Sequence, residues 1–133
     1  MLKLNELKVG DLVYAQYDGN LKEGEITDVD HIDNKVCIMT NDEQEFWYEL
    51  NHIQPITMDE SQLFKLGFQK EDNGDGSVKY MKGAFRILLH HPGEFTNIEM
   101  WYREDKRHFN GPIYLHDLQN RYHEMTKVVL DKG

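Results

Sequence analysis

Lys8-Val9-Gly10-Asp11-Leu12-Val13-Tyr14-Ala15-Gln16-Tyr17, followed by Asp18-Gly19-Asn20, is the stretch whose reading decides the fold. A turn glycine precedes β-branched and aromatic residues suited to a pleated surface, and Asp-Gly-Asn then tolerates positive φ, so a strand ending in a tight turn is predicted. Downstream, Glu23-Gly24-Glu25 leads into Ile26-Thr27-Asp28-Val29-Asp30-His31-Ile32. The spacing of Ile26, Val29 and Ile32 breaks the period of two, which predicts a bulge or sharp bend in the second strand. Asp33-Asn34 makes a turn, Lys35–Thr40 a third strand, Asn41-Asp42-Glu43 a further turn, and Glu45–Leu50 a fourth strand. Short strands at this spacing predict a small curled sheet or barrel.

The remainder has a different rhythm. Pro55 removes a backbone donor and keeps Gln54 extended, and Thr57 with Glu60 three residues on has the form of a capping box. A two-turn helix is expected, with Leu63, Phe64 and Leu66 on its apolar face, Gly67 ending it and Phe68 folding back. Strands follow at Val78–Met81, Phe85–His90 and Thr96–Tyr102, the last alternating Ile98, Met100 and Tyr102 against Glu99 and Trp101. Leu115, Leu118, Tyr122, Met125 and Val129 recur at helical spacing from Tyr114 to about Leu130, with Asp117 and Arg121 placed to pair. The predicted class is α+β: an acidic β unit over residues 1–57, then an antiparallel sheet flanked by two helices over 58–133.

Charge is distributed unevenly between these parts. The 133-residue chain carries a net charge of −9, and residues 1–57, with 12 acidic and 4 basic side chains, hold −8 of it. Such a field repels phosphate and disfavours general binding of nucleic acid or anionic membrane by the first part. No apolar run approaches the roughly 18 residues of a membrane span, and Met1-Leu2-Lys3-Leu4-Asn5-Glu6 lacks signal-peptide character, so a cytoplasmic protein is expected. Cys37 is the single cysteine; flanked by Val36 and Ile38, it reads as a buried strand thiol.

Candidate chemistry is sparse. Asp72-Asn73-Gly74-Asp75-Gly76 is dense in carboxylates, but counting from Asp72 the third, fifth and twelfth positions are Gly74, Gly76 and Gly83, so a hairpin turn is read rather than a calcium loop. His90-His91 are adjacent, and His116 and His123 stand seven apart, about 10 Å along a helix, so surface histidines are expected. No nucleophile frame or phosphate loop is present, and no catalytic residue, cofactor or metal is assigned. Trp101 reads as cover for the sheet or as an exposed binding aromatic. Arg103, Lys106, Arg107 and Phe109 lie in a predicted loop that interleaves cations with aromatics, as a phosphate or single-strand contact requires.

The order of parts from Lys8-Val9-Gly10-Asp11-Leu12-Val13 through Gly24-Glu25-Ile26 resembles small SH3-like barrels, although turns bearing Asp18, Glu23, Asp28, Asp30, Asp33, Asp42 and Glu43 lack the basic or aromatic residues of nucleic-acid-binding members. Over most of its length the chain also resembles a family of uncharacterised small proteins of Bacteroidetes genomes and mobile elements. The carrying residues are Leu7–Val13, Ile53-Gln54-Pro55-Ile56-Thr57, Leu66-Gly67-Phe68 and Tyr114–Tyr122, with Leu118-Gln119-Asn120 and Tyr122 matching most closely. That resemblance implies no activity. Members usually continue with a leucine-threonine-glycine turn where this chain has Met125-Thr126-Lys127.

The functional expectation is therefore a non-enzymatic protein-interaction module in a bacterial or phage setting, with a protein partner. Its expected surface comprises Asp28, Asp30, Asp33, Trp101, Arg103, Lys106, Arg107, Phe109, Gln119 and Asn120. The alternative is nucleic-acid binding through the Arg103–Phe109 loop. The exposure of Trp47 and Trp101 distinguishes a binding face from a packed one.

Overall fold

A computed structural model describes residues 2–40 and 43–131. The expected turn at Asn41-Asp42 lies outside the described residues. The chain divides into two compact units, Met1–Ile56 and Thr57–Gly133, and its class is α+β.

In the first unit, β1 (Leu12–Tyr17), β2 (Asn20–Asp30), β3 (Lys35–Thr40), β4 (Glu45–Glu49) and β5 (Ile53–Gln54) form one antiparallel sheet in the order β4-β3-β2-β1-β5. No pairing of β4 with β5 closes it among the described residues, so of the two expected forms the pairing gives the open sheet rather than the closed barrel. The β1–β2 connection is a two-residue turn at Asp18 (φ 53°) and Gly19 (φ 78°), the doubly left-handed geometry that Asp-Gly favours. The Gly10-Asp11 entry to β1 is pinned twice: the Asp11 carboxylate accepts the Lys8 N–H at 2.9 Å, and the Asp11 carbonyl accepts the Ile26 N–H at 2.9 Å.

The bend expected in β2 is present. Its register with β3 shifts between Ile26 and Asp28, so that Ile26 and Val29 pack against the same core despite their odd spacing. Strand β2 stops at Asp30, however, and Ile32 lies in the following turn, 91% exposed, where the Asp30 carboxylate accepts the N–H groups of Ile32 and Asp33. The core is Leu2, Leu7, Val13, Ala15, Ile26, Val36, Ile38, Tyr48 and Ile53, drawn from all five strands and the segment before them. Cys37 is buried and free, as expected.

In the second unit, β6 (Gln69–Asp72), β7 (Val78–Lys82), β8 (Phe85–Leu89), β9 (Asn97–Tyr102) and β10 (Asp105–Asn110) form an antiparallel meander in the order β10-β9-β8-β7-β6. Helix α1 (Glu60–Lys65) precedes it and α2 (Leu115–Thr126) follows. The N-cap of α1 is Asp59, whose carboxylate accepts the Gln62 N–H at 2.8 Å; Thr57, expected as the cap, instead bridges to Tyr114. The C-terminus of α1 follows expectation. Gly67 has φ 91°, its N–H reaches the Phe64 carbonyl, the Phe68 N–H reaches the Leu63 carbonyl, and Phe68 is buried.

Residues of both helices meet one face of this sheet. Phe64 approaches Tyr80 at 6.3 Å, Phe68 approaches Phe85 at 6.1 Å, and Tyr122 approaches Phe85 at 4.8 Å between ring centroids. Phe64 nonetheless stays half exposed, so Leu63 and Leu66 carry the burial of α1. Helix α2 ends at Thr126, earlier than its apolar spacing predicted; Val129 is exposed, and Leu130 packs after the chain has turned at Lys127 with φ 64°. Asp117 does not pair with Arg121: its carboxylate accepts the Tyr114 N–H at 3.0 Å, while Arg121 meets Glu124 at 2.8 Å.

Three outcomes follow from this packing. A Cβ added at Gly24 would stand 2.5 Å from Ile38 Cγ2 and 2.8 Å from the Met39 carbonyl oxygen. Gly24→Ala is expected to cost about 1–3 kcal/mol in urea denaturation, the range of core overpacking. Lys127→Gly relieves a left-handed residue and is expected to raise stability by about 0.5–1 kcal/mol, since that conformation costs a residue with a Cβ about 1–2 kcal/mol and glycine returns part of the gain as unfolded-state entropy. Burial, and then the hydrogen bond to Glu60, raise the Tyr80 pKa well above the tyrosine range. This stabilisation is complete below about pH 10, the unfolded value, and is lost as pH climbs toward the raised folded value. A phenolate absorbance titration should show late-titrating tyrosine that diminishes by one group in Tyr80→Phe.

Candidate functional site

Three consecutive aromatics on an edge strand, Phe46-Trp47-Tyr48, cannot all face a core, because successive side chains on a strand alternate sides. Tyr48 takes the buried position. Phe46 shares its face but sits toward the open end, 39% exposed, and Trp47 points the other way, 50% exposed. Tyr17, at the last position of β1, is 51% exposed and stacks on Phe46 with ring centroids 5.4 Å apart and planes within 5°. In a flat sheet β1 and β4, three strand spacings apart, would be separated by about 14 Å. The stack therefore records the curl of the sheet.

A groove of about 590 Å³ runs along this end and is lined by Tyr17, Phe46, Trp47 and Tyr48 together with Asp18, Lys35, Glu49 and His52, among others. Strand β4 ends the sheet order among the described residues. The groove thus combines the end strand of the sheet, three exposed aromatic surfaces and two carboxylates, in a unit whose sequence carries a net −8. None of Tyr17, Phe46 and His52 was singled out by the sequence pattern. The signal that could have found them was the aromatic triplet itself, whose alternation forces at least one ring outward.

The residues expected to form an interaction surface separate. Asp28 accepts the Val29 N–H and Asp30 closes the turn holding Asp33, so Asp28 and Asp30 serve local backbone while remaining at the surface. The segment expected as a loop at Arg103–Phe109 is a two-residue turn, with Arg103 at φ 57°, followed by β10. Its register places Arg107 opposite Met100 and Phe109 opposite Ile98, on the helix side, and Lys106 opposite Trp101, on the other side. The cations therefore do not form one patch. Arg107 bonds to Asp105 at 3.1 Å and Glu124 at 3.3 Å, tying β10 to α2. Gln119 is buried and donates to the Leu130 carbonyl at 2.9 Å, fastening the segment beyond α2, whereas Asn120 is half-buried.

On the face of the second sheet away from the ring contacts with the helices, Met81, Arg86, Trp101 and Lys106 stand in one row of register partners. Trp101 is half-buried, with the Lys106 ammonium 4.7 Å from its ring centroid. Lys106 also reaches Glu99 at 3.5 Å. The Trp101 Nε1–H is buried and has no partner among the described residues, an omission worth about 1–3 kcal/mol when uncompensated. A second, smaller pocket of about 140 Å³ lies here, lined by Ala84, Arg86, Trp101 and Arg103.

Of the histidines considered as ligands, His116 is buried at 1% exposure rather than at the surface, 3.6 Å from Asp117 and parallel to the Tyr114 ring. It could not have been separated from its exposed neighbour His123 by residue type; only the helix phase it shares with buried Gln119 marks it. Among the described residues no three His, Cys, Asp or Glu side chains are grouped to hold a metal ion. The Asp72–Gly76 segment is the β6–β7 turn, its carboxylates accepting the Gly74 and Ser77 N–H groups at 2.9 Å. No helix among the described residues is long and apolar enough to cross a membrane. Neither a protein-family model nor a curated protein matches the chain.

Proposed function

We propose that the protein is a non-enzymatic interaction module whose first unit binds an extended, cationic segment of a partner protein along the β4 edge. The observation that carries this reading is the groove itself: Tyr17, Phe46 and Trp47 lie exposed around it beside Asp18 and Glu49. Aromatic faces attract lysine and arginine side chains, and the surrounding negative field steers cations and repels acidic competitors. As the end strand of its sheet, β4 is placed to add main-chain hydrogen bonds to an extended peptide, while the rings and carboxylates read its side chains. The strand order and curl support the SH3-like expectation for this unit. The bacterial or phage setting rests on the family resemblance at Leu7–Val13 and Tyr114–Tyr122.

The test is an unbiased peptide array probed with the full chain, followed by titration of the selected peptides. Bound peptides are expected to be enriched in lysine and arginine and depleted in aspartate and glutamate, with association weakening as salt rises. Phe46→Ala and Trp47→Ala are each expected to weaken binding by about tenfold or more, as anchors of a small interface do. Selection of acidic peptides, or binding indifferent to both substitutions in folded protein, would refute the proposal.

A further inference from the structure

We infer that the open face of the second sheet holds a receptor for a single phosphate group, formed by Arg86, Arg103 and the Trp101 indole. This site is independent of the β4 groove and rests on different residues. Its pocket of about 140 Å³ is lined by these three side chains and Ala84. That volume has room for a small polyatomic anion.

The side-chain polar groups lining the pocket are all donors. Two guanidinium groups offer forks of N–H groups and the indole offers one more; neither residue type carries an acceptor. The charge is also uncompensated. Among the described residues, Arg107, Arg121, Lys70, Lys79 and Lys106 each have a carboxylate within 4.0 Å, whereas neither Arg86 nor Arg103 has one. Arg103 lies instead over the Tyr102 ring, 5.1 Å from its centroid. Trp101, which lines the same pocket, has a buried Nε1–H with no partner among the described residues.

The scaffold places these residues around one pocket. Arg86 on β8 and Trp101 on β9 are direct register partners and so project from the same face, while Arg103 occupies the tight turn two residues beyond Trp101. Donors approaching from a strand and a turn match an anion with several oxygens better than a planar carboxylate with two. A long polyanion is a poorer fit: Glu99 is within 3.5 Å of Lys106, and the chain as a whole carries −9, so the positive field is confined to the pocket. The inferred ligand chemistry is therefore a phosphomonoester or free phosphate rather than a nucleic-acid backbone.

The chain has two tryptophans, which makes the test direct. Inorganic phosphate and, in a second arm, phenyl phosphate are titrated into the full-length protein at constant ionic strength against sodium chloride, and the two indole N–H resonances are followed by NMR. The Trp101 resonance is expected to shift and saturate with phosphate while that of Trp47 stays still. Saturation by inorganic phosphate at lower concentration than by phenyl phosphate identifies the free ion as ligand, and the reverse order identifies the monoester. Arg86→Ala with Arg103→Ala should weaken binding about tenfold or more, and Arg86→Lys, which keeps the charge but loses the fork, should fall between. An equal shift with chloride, no saturable shift of Trp101, or unchanged affinity in the folded double variant would overturn the inference.

Discussion

The bend of strand β2 is the constraint from which the first unit follows. Gly24 is buried where a side chain would strike Ile38 and the Met39 backbone, and three residues on, the register with β3 slips around Thr27. A glycine at the inner side of a bend lets two strands close up, and the extra residue of a bulge increases the local twist. Together they curl a sheet that would otherwise be open and flat. The curl sets Val13, Ile26, Ile38 and Tyr48 around one core and brings Tyr17 onto Phe46 at its end. The groove along β4 is the external consequence of the same bend.

The second unit solves a different problem. Its sheet receives both helices' aromatic contacts on one face, so the opposite face carries half-buried and exposed side chains instead of a core. On such a face the strand register alone decides which charges meet. It sets Lys106 against Trp101 and near Glu99, and it sends Arg107 to the other side, where Glu124 receives it. Arg86 and Arg103 are left with aromatic neighbours and no carboxylate among the described residues. Surface ion pairs contribute little to stability, so their distribution here matters more for what the face attracts than for how firmly the sheet is held.

Much of the fold was legible where local chemistry is decisive. Asp18-Gly19 announced its turn because both positions take positive φ, Gly67-Phe68 announced the end of α1, and the broken spacing of Ile26 and Val29 announced the bulge. Strands β6 and β10 escaped notice because Gln69-Lys70-Glu71-Asp72 and Asp105–Asn110 are edge strands whose charged side chains carry no apolar alternation. Thr57 misled because bridging to Tyr114 claimed it, and Asp59, two residues on, caps the helix instead. The groove was hidden for a related reason: Tyr17 and Phe46 are far apart in sequence and nonadjacent in strand order, and only curvature unites them.

The central claim is that β2 bends enough to bring the ends of β1 and β4 together at the binding groove. The most direct measurement is the nuclear Overhauser effect between the ring protons of Tyr17 and Phe46 in the free protein. Stacked rings 5.4 Å apart should give clear cross-peaks. Their absence in a well-folded sample, with the β1–β2 and β3–β4 ladders intact, would mean that the sheet does not curl, and the groove would not exist as described.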